Sequence, residues 1–297
     1  MSDPKMMQQM ATGQGFIAAL DQSGGSTPKA LRSYGIDEDA FSNDEEMFAL
    51  IHQMRTRIIM SPCFNGEKVL GAILFERTMD GEIDSKPVPT ALWERGVVPF
   101  LKVDKGLEDE ADGVQLMKPM LDLDALLVRA KAKGVFGTKM RSVINLASNS
   151  GIRAIVEQQF EIASQISARG LMPIIEPEVN IKSAERAQCD AILRDELLKA
   201  LDAMPEDKQV MLKLSIPEEA NLYAPLVHHP RVLRVVALSG GFARSEACSE
   251  LAKNTGIIAS FSRALLENLR YEMSDDEFDE SLGEAIEDIY EASRDNK

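Results

Sequence analysis

Between residues 98 and 213, four short apolar runs each end in a charged residue: Val98-Pro-Phe-Leu-Lys102, Val135-Phe-Gly-Thr-Lys139, Met172-Pro-Ile-Ile-Glu176 and Val210-Met-Leu-Lys213. Successive charged positions stand 37 residues apart. One strand and one helix fill such an interval, so the spacing predicts four equivalent strand ends at one height on successive strands. Uninterrupted apolar runs of this length suit strands buried on both faces, as in parallel sheets. Four further runs flank them: Phe16-Ile-Ala-Ala-Leu20, Val69-Leu-Gly-Ala-Ile-Leu-Phe75, Leu233-Arg-Val-Val-Ala-Leu238 and Ile257-Ile-Ala-Ser-Phe261.

The intervening segments read as helices. Ser42-Asn-Asp-Glu45 has the form of a capping box before Met47, Leu50, Ile51, Met54 and Ile58, which share one helical stripe. Ile152, Ile155, Val156, Gln159, Ile162 and Ile166 mark a second helix, ended at Gly170. Eight strand–helix units predict an α/β fold of the (β/α)₈ TIM-barrel type rather than an open sheet. Ser274-Asp-Asp-Glu277 is a further capping box, before Phe278, Leu282, Ile286, Ile289 and Tyr290, and announces an acidic amphipathic helix that closes the barrel. No linker divides the chain. The expectation is a single domain over 1–297, with a barrel core of about 13–270 and a helical extension over 274–297.

Composition narrows the function. Of 297 residues, 33 are Lys or Arg and 48 are Asp or Glu, a net charge of −15. Such a chain is a poor partner for nucleic acid or an anionic membrane. No apolar run approaches the roughly 20 residues that span a bilayer. Met1-Ser2-Asp3-Pro4 lacks the features of a signal peptide. Cys63, Cys189 and Cys248 are odd in number and widely spaced, supporting neither a disulfide framework nor a thiolate metal site. A cytoplasmic protein is expected. His52, His228 and His229 are the three histidines, and none has the spacing of a zinc ligand pair. Each reads as a surface or capping residue, although carboxylates could still hold magnesium.

The strand ends carry the chemistry. With Asp21 after the first strand, the set Asp21, Lys102, Lys139, Glu176 and Lys213 falls at the C-terminal rim, where such barrels build their sites. The period of two along a strand puts Asp104, Arg141, Glu178 and Ser23 on the same faces as Lys102, Lys139, Glu176 and Asp21. A structural ring of ion pairs would explain any one of these residues. The whole set, each beside an apolar run, points to function. Imine formation is the chemistry suggested, because a lysine attacks a carbonyl only as the neutral amine, which burial and a neighbouring cation favour. Lys213 follows the run Val-Met-Leu and has Lys139 as the expected cation. Glu176, near the like charge of Glu178, is expected to hold its proton more tightly than usual and so to transfer protons near neutrality. Asp21 is a second candidate base.

Two Gly/Ser loops suggest anion sites. Ser239-Gly240-Gly241 and Ser262-Arg263 follow the seventh and eighth strands, where these barrels often bind phosphate. Ser23-Gly-Gly-Ser-Thr27 follows the first, with Pro28 suited to a first helical turn and Lys29 nearby. Loops on both sides of a lysine-rich mouth suggest a substrate with phosphate at each end.

At these residues the sequence closely resembles the class I fructose-1,6-bisphosphate aldolases in their shorter bacterial form. The matching segments are Ala-Leu-Asp21-Gln-Ser23-Gly-Gly-Ser26-Thr, Phe-Leu-Lys102-Val-Asp104-Lys-Gly, Gly-Thr-Lys139-Met-Arg141, Ile-Ile-Glu176-Pro-Glu178, Met-Leu-Lys213, Leu-Ser239-Gly-Gly and Ser260-Phe-Ser-Arg263-Ala-Leu. They run in family order over about 13–270. The resemblance implies that Lys213 is the Schiff-base lysine, that Glu176 transfers protons as the imine forms and hydrolyses, and that Asp21 serves carbon–carbon cleavage. Lys139 and Glu178 match charged residues around the imine. Ser239, Gly240, Ser262 and Arg263 match the phosphate site of the ketone half, and Ser23, Ser26 and Lys102 the opposite phosphate site. Arg141 and Ser260, in the matching segments, join the substrate-binding set.

There are departures. Animal members carry Glu where this chain has Gln22, Gly where it has Ser262, and a basic residue where it has Ala30. They end in a functional tyrosine, whereas this chain ends in Lys297; Tyr290 lies seven positions upstream, and that role is not carried over to it. The implied activity is a glycolytic and gluconeogenic lyase. It would cleave fructose 1,6-bisphosphate reversibly to dihydroxyacetone phosphate and glyceraldehyde 3-phosphate, with no metal and no cofactor. Rival readings are another imine-forming barrel, such as a tagatose-bisphosphate aldolase or transaldolase, and a phosphosugar-binding protein that has lost activity. A homotetramer is common in the family, and a homo-oligomer is compatible with the sequence, though no stretch reads as an interface signature.

Overall fold

A computed structural model of the chain describes residues 3–294. The start Met1-Ser2 and the last three positions, Lys297 among them, lie outside the described residues. Eight strands pair in parallel and in sequence order: β1 (Phe16–Leu20), β2 (Val69–Leu74), β3 (Val98–Lys102), β4 (Gly137–Ile144), β5 (Met172–Val179), β6 (Val210–Ser215), β7 (Val232–Leu238) and β8 (Ile257–Ala259). The ends of this sheet meet where the Ala19 N–H donates to the Phe261 carbonyl at 3.0 Å. The result is a nearly closed (β/α)₈ barrel. A short hairpin (Glu82–Ile83 with Lys86–Pro87) and the strand Val114–Gln115, antiparallel to β4, are added to it.

Several boundaries differ from the sequence reading. β4 begins at Gly137, because Val135 is still leaving the preceding helix, its N–H donating to the Ala130 carbonyl; Phe136 makes the first bonds to the neighbouring strands, donating to the Pro99 carbonyl and accepting from the Met172 N–H. Lys139, Glu176 and Lys213 lie inside their strands rather than after them, since each backbone goes on pairing with its neighbours. Equal spacing does not mean equal height either. Lys139 lies opposite Lys102, but Glu176 lies opposite Arg141. Strands that tilt to close a barrel must stagger their register.

The helix that flanks the mouth behind β1, α1 (Asp44–Met60), is capped by Asn43 rather than Ser42. The Asn43 side chain accepts from the Glu46 N–H at 3.0 Å, and Glu46 reaches back to the Ser42 N–H at 2.7 Å. Both members of the expected box are thus displaced by one residue. The C-terminal box is as read: Ser274 and Glu277 exchange hydrogen bonds at the head of α2 (Asp275–Arg294). Phe278, Leu282, Ile286 and Ile289 of α2 are buried, and Ser293 Oγ accepts from the Ala259 N–H at 3.0 Å. This helix therefore satisfies a backbone donor of β8 at the seam of the sheet, besides covering apolar surface.

Two apolar layers result. One lies between sheet and helices; the other fills the barrel, with Ile17, Phe100, Ile174, Met211 and Val236. The N-terminal helix Pro4–Thr12, unforeseen from the sequence, plugs the lower end with Met6 and Met10, and Arg234 holds its last turn through the Met10 and Gly13 carbonyls. Inside the barrel, alternate residues climb from this apolar floor to charge: Ala19 to Asp21, Phe100 to Lys102, Ile174 to Glu176, Met211 to Lys213. Gly137 stands beneath Lys139, where a Cβ would press to 2.8 Å on the Phe100 ring and 2.3 Å on the Met172 carbonyl.

Candidate active site

Above that floor opens a cavity of about 810 Å³. Asp21, Ser23, Ser26, Lys102, Lys139, Arg141, Glu176, Glu178, Lys213, Ser239, Gly240, Ser260, Ser262 and Arg263 all line it, so the fold brings these candidate residues to one place. At the base, Glu176 is bracketed by two lysines. Lys213 Nζ lies 3.0 Å from Glu176 Oε1, and Lys139 Nζ lies 2.8 Å from Glu176 Oε2 and 2.7 Å from Asp21 Oδ2. Lys139, Glu176 and Lys213 are at most 4% exposed. Burial on this scale is tolerated because the charges neutralise one another over short distances.

The pairing corrects one expectation. Burial pushes the Glu176 carboxyl up, but Lys139 and Lys213 outweigh it and hold the group below its ordinary value. Glu178 does not act as the repelling neighbour, because it turns away into an ion pair with Arg141. The same balance holds Asp21 well below its usual range, with Lys139 and then Lys213 outweighing burial. Lys139 moves the other way: burial lowers it, Asp21 and Glu176 raise it, and it stays protonated. At neutral pH the base of the cavity holds two carboxylates fixed as anions and a cation between them. Gln159, from the helix Asn149–Ala168, accepts from the Glu176 N–H at 3.2 Å and donates to Ser142 Oγ at 3.0 Å, which ties the Glu176 backbone to the helix layer.

Lys102 is set apart from this cluster. Its ammonium pairs with Asp104 Oδ1 at 2.7 Å and donates to the Asp104 carbonyl at 2.8 Å. The loop after β1 has a similar economy: Ser26 Oγ donates to the Ser23 carbonyl at 2.8 Å and accepts from the Ser23 N–H at 2.9 Å, so its proton is held within the loop. Lys29 and Arg270 also line this side, and Arg270 lies against the end of the helix Ser26–Ser33 that carries Ala30. Arg270 was not foreseen, since it is remote in sequence from that helix.

Across the mouth, Gly240 adopts φ +60°, a conformation glycine takes without strain, and a Cβ there would reach 2.6 Å from Ile181 Cγ2. The Arg263 guanidinium lies against Gly241. Ser260 Oγ is buried and has no hydrogen-bond partner among the described residues. An unpaired buried hydroxyl is costly, and one that lines a cavity marks a place for a ligand atom.

A second unforeseen residue is Arg55, on α1, 1% exposed, which donates to the Gln22 carbonyl at 2.5 Å and to Thr78 Oγ1 at 2.7 Å. Its sequence signal was an arginine four residues after Ile51 and three before Ile58, on the apolar stripe.

The family model described as fructose-bisphosphate aldolase class-I matches residues 5–220. The chain belongs to the class I fructose-bisphosphate aldolase family. Its fold is similar to that of fructose-bisphosphate aldolase from Plasmodium falciparum, solved in a ternary complex with TRAP and a small-molecule inhibitor. The two share 19% identity at a TM-score of 0.80, covering 98% of this chain and 93% of that one. A Corynebacterium glutamicum protein shows a weaker likeness, at 13% identity and a TM-score of 0.56 over 97% and 92% of the two chains. Both are likenesses of fold. In this aldolase-family barrel β4, β5 and β6, with Asp21 at the end of β1, deliver the charged base, and the loops after β1, β7 and β8 form the rim. Among the described residues no three His, Cys, Asp or Glu side chains cluster as metal ligands, and no helix is long and apolar enough to cross a membrane.

Proposed function

We propose that this protein is a Schiff-base aldolase that reversibly cleaves fructose 1,6-bisphosphate in the cytoplasm, in glycolysis and gluconeogenesis. The observation that carries the reading is the Lys213–Glu176–Lys139–Asp21 chain at the base of a cavity whose rim offers hydroxyls, glycine backbone and Arg263 on one side and the Ser23–Ser26 loop on the other. Glu176, 3.0 Å from Lys213 Nζ, is placed to take the proton the amine must lose before it attacks the ketone carbon. It returns that proton to the carbinolamine oxygen, which departs as water and leaves the iminium. Asp21, held ionised, accepts the proton of the C4 hydroxyl as the C3–C4 bond breaks. The bonding electrons move into the iminium as an enamine, and the aldehyde is released. Return of that proton from Asp21 to C3 and attack by water on the iminium then free dihydroxyacetone phosphate and restore the lysine and the carboxylate. Lys139 favours the basic form of both carboxylates between these proton transfers, and Arg141 holds Glu178 at the edge of the same space.

Borohydride reduction with dihydroxyacetone phosphate present tests the mechanism directly. One substrate-derived adduct on Lys213 is expected, and an adduct on Lys139 or Lys102 would reverse the assignment. Turnover on fructose 1,6-bisphosphate should survive dialysis against a strong chelator and exceed that on tagatose 1,6-bisphosphate. Loss on chelation that zinc restores would overturn the imine route, and a preference for the tagatose isomer would change the substrate.

A further inference from the structure

The positions that depart from animal aldolases include Gln22 and Ser262, which lie 240 residues apart in sequence and touch in the fold. Gln22 Nε2 donates to Ser262 Oγ at 2.6 Å. The orientation of the amide is fixed by its other end. Arg55 Nη2 lies 3.2 Å from Gln22 Oε1, and a guanidinium can only donate, so the oxygen must face Arg55 and the nitrogen must face Ser262. The amide nitrogen lies also toward the Ala19 carbonyl at 3.4 Å, which requires a donor there. Ser262 Oγ, having accepted from Gln22, keeps its own proton, for which no acceptor exists among the described residues. Ser262 lines the cavity beside Arg263 and the unpartnered Ser260 hydroxyl.

We propose that Arg55 acts through Gln22 as a positioning residue, fixing the Ser262 hydroxyl as a donor into the cavity, where it and Ser260 receive oxygens of the substrate phosphate on the Arg263 side. This assignment rests on the phosphosugar reading above and adds to it a donor chain that begins outside the cavity. Arg55 is a buried cation that feels the Asp21 carboxylate through space but has no carboxylate within ion-pair distance among the described residues, and its Nε has no partner there. Its hydrogen bonds go to Thr78 Oγ1 and, from Nη2, to both the carbonyl and the side-chain oxygen of Gln22. Each donor in such a chain polarises the next, so the serine proton becomes a better donor to an anion than an isolated hydroxyl. Where glycine stands in place of Ser262, only backbone N–H is offered.

A cycle of two substitutions tests this. Glutamate at position 22 can only accept, so Gln22→Glu would pair with Arg55 and draw the Ser262 proton away from the cavity. Calorimetry with inorganic phosphate is the first readout, with Arg263→Ala marking which side of the cavity is being measured. Gln22→Glu is expected to weaken phosphate binding by roughly tenfold or more in the native background, and by less than about twofold when Ser262→Gly is already present. KM for fructose 1,6-bisphosphate should rise with it, while kcat stays within about twofold and the melting temperature holds. Equal losses in both backgrounds would mean a through-space charge effect and would overturn the chain. Phosphate binding indifferent to Arg263→Ala would overturn its location. Because phosphate binding needs no turnover, a protein that obeys the cycle but does not cleave the bisphosphate would sink the catalytic reading alone.

Discussion

The two halves of the barrel mouth handle polarity in opposite ways. On the β4–β6 side, Lys139, Glu176, Lys213 and Asp21 close on one another at 2.7–3.0 Å and are sealed over the apolar floor. Across from them, the loops after β7 and β8 keep donors in reserve: Ser260 Oγ has no partner, and Arg263 has no carboxylate among the described residues. A buried cluster that neutralises itself can be folded without substrate. A surplus of donors waits for an anion to come. The difference predicts that substitutions on the first side disturb both stability and chemistry, and those on the second disturb binding with little effect on the fold.

The largest effect should come from Lys213→Met, which removes the covalent route. Turnover is expected to fall by at least about 10⁴-fold, and borohydride trapping to vanish. Glu176→Gln keeps the shape and should slow proton transfer by about 10²–10⁴-fold in kcat. A normal rate in this variant would remove Glu176 from the mechanism.

Lys139→Met sharpens the contrast in stability. It strands Asp21 and Glu176 as adjacent buried anions, which should cost about 3–5 kcal/mol in denaturant unfolding. Arg263→Ala should change stability by less than about 0.5 kcal/mol, yet lower kcat/KM by roughly one to two decades on both fructose 1,6-bisphosphate and fructose 1-phosphate. If Arg263→Ala destabilised the protein as much as Lys139→Met, the division of the mouth into two regimes would be wrong.

A smaller effect is expected from acid. Asp21 and Glu176 sit below their ordinary values of 3.8 and 4.5, so their pairing is fully present above about pH 4.5 and is lost as pH falls through the lowered folded values. Asp190, buried on the helix Arg186–Asp202, behaves oppositely. Burial pushes it up to about 6, against donors from Glu218 N–H and the Tyr223 hydroxyl and the more distant Arg186. The folded state then holds that proton more tightly, so stability falls as pH rises from about 4 to about 6. Asp190→Asn should remove this fall in melting temperature and leave the loss at lower pH in place.

Ser26→Ala should have the mildest effect. If the hydroxyl meets the aldehyde-side phosphate, kcat/KM drops for the bisphosphate and not for fructose 1-phosphate. The hydrogen bonds that hold Ser26 to Ser23 instead forecast a small, equal loss on both, through loosening of the loop.

Sequence periodicity alone determined the eight parallel strands, because a strand buried on both faces has to be written as an apolar run, and it placed the charged residues at the C-terminal end of the barrel because each follows such a run. The resemblance in motifs named the lysine and the carboxylates. What only the tertiary structure decided was how those charges meet. The equal intervals between Lys102, Lys139 and Glu176 suggested one level ring, but the register steps between Lys139 and Glu176, Glu176 is set between two lysines, and Lys102, though level with Lys139, pairs with Asp104 of its own segment. The sign of the shift at Glu176 followed from that arrangement: proximity in sequence to Glu178 counted for less than proximity in space to Lys139 and Lys213. Arg55, on α1, and Arg270, in the loop before α2, lie far along the chain from the loops they flank. Which side chains share a cavity is set by how helices pack on the closed sheet, and no local pattern encodes that.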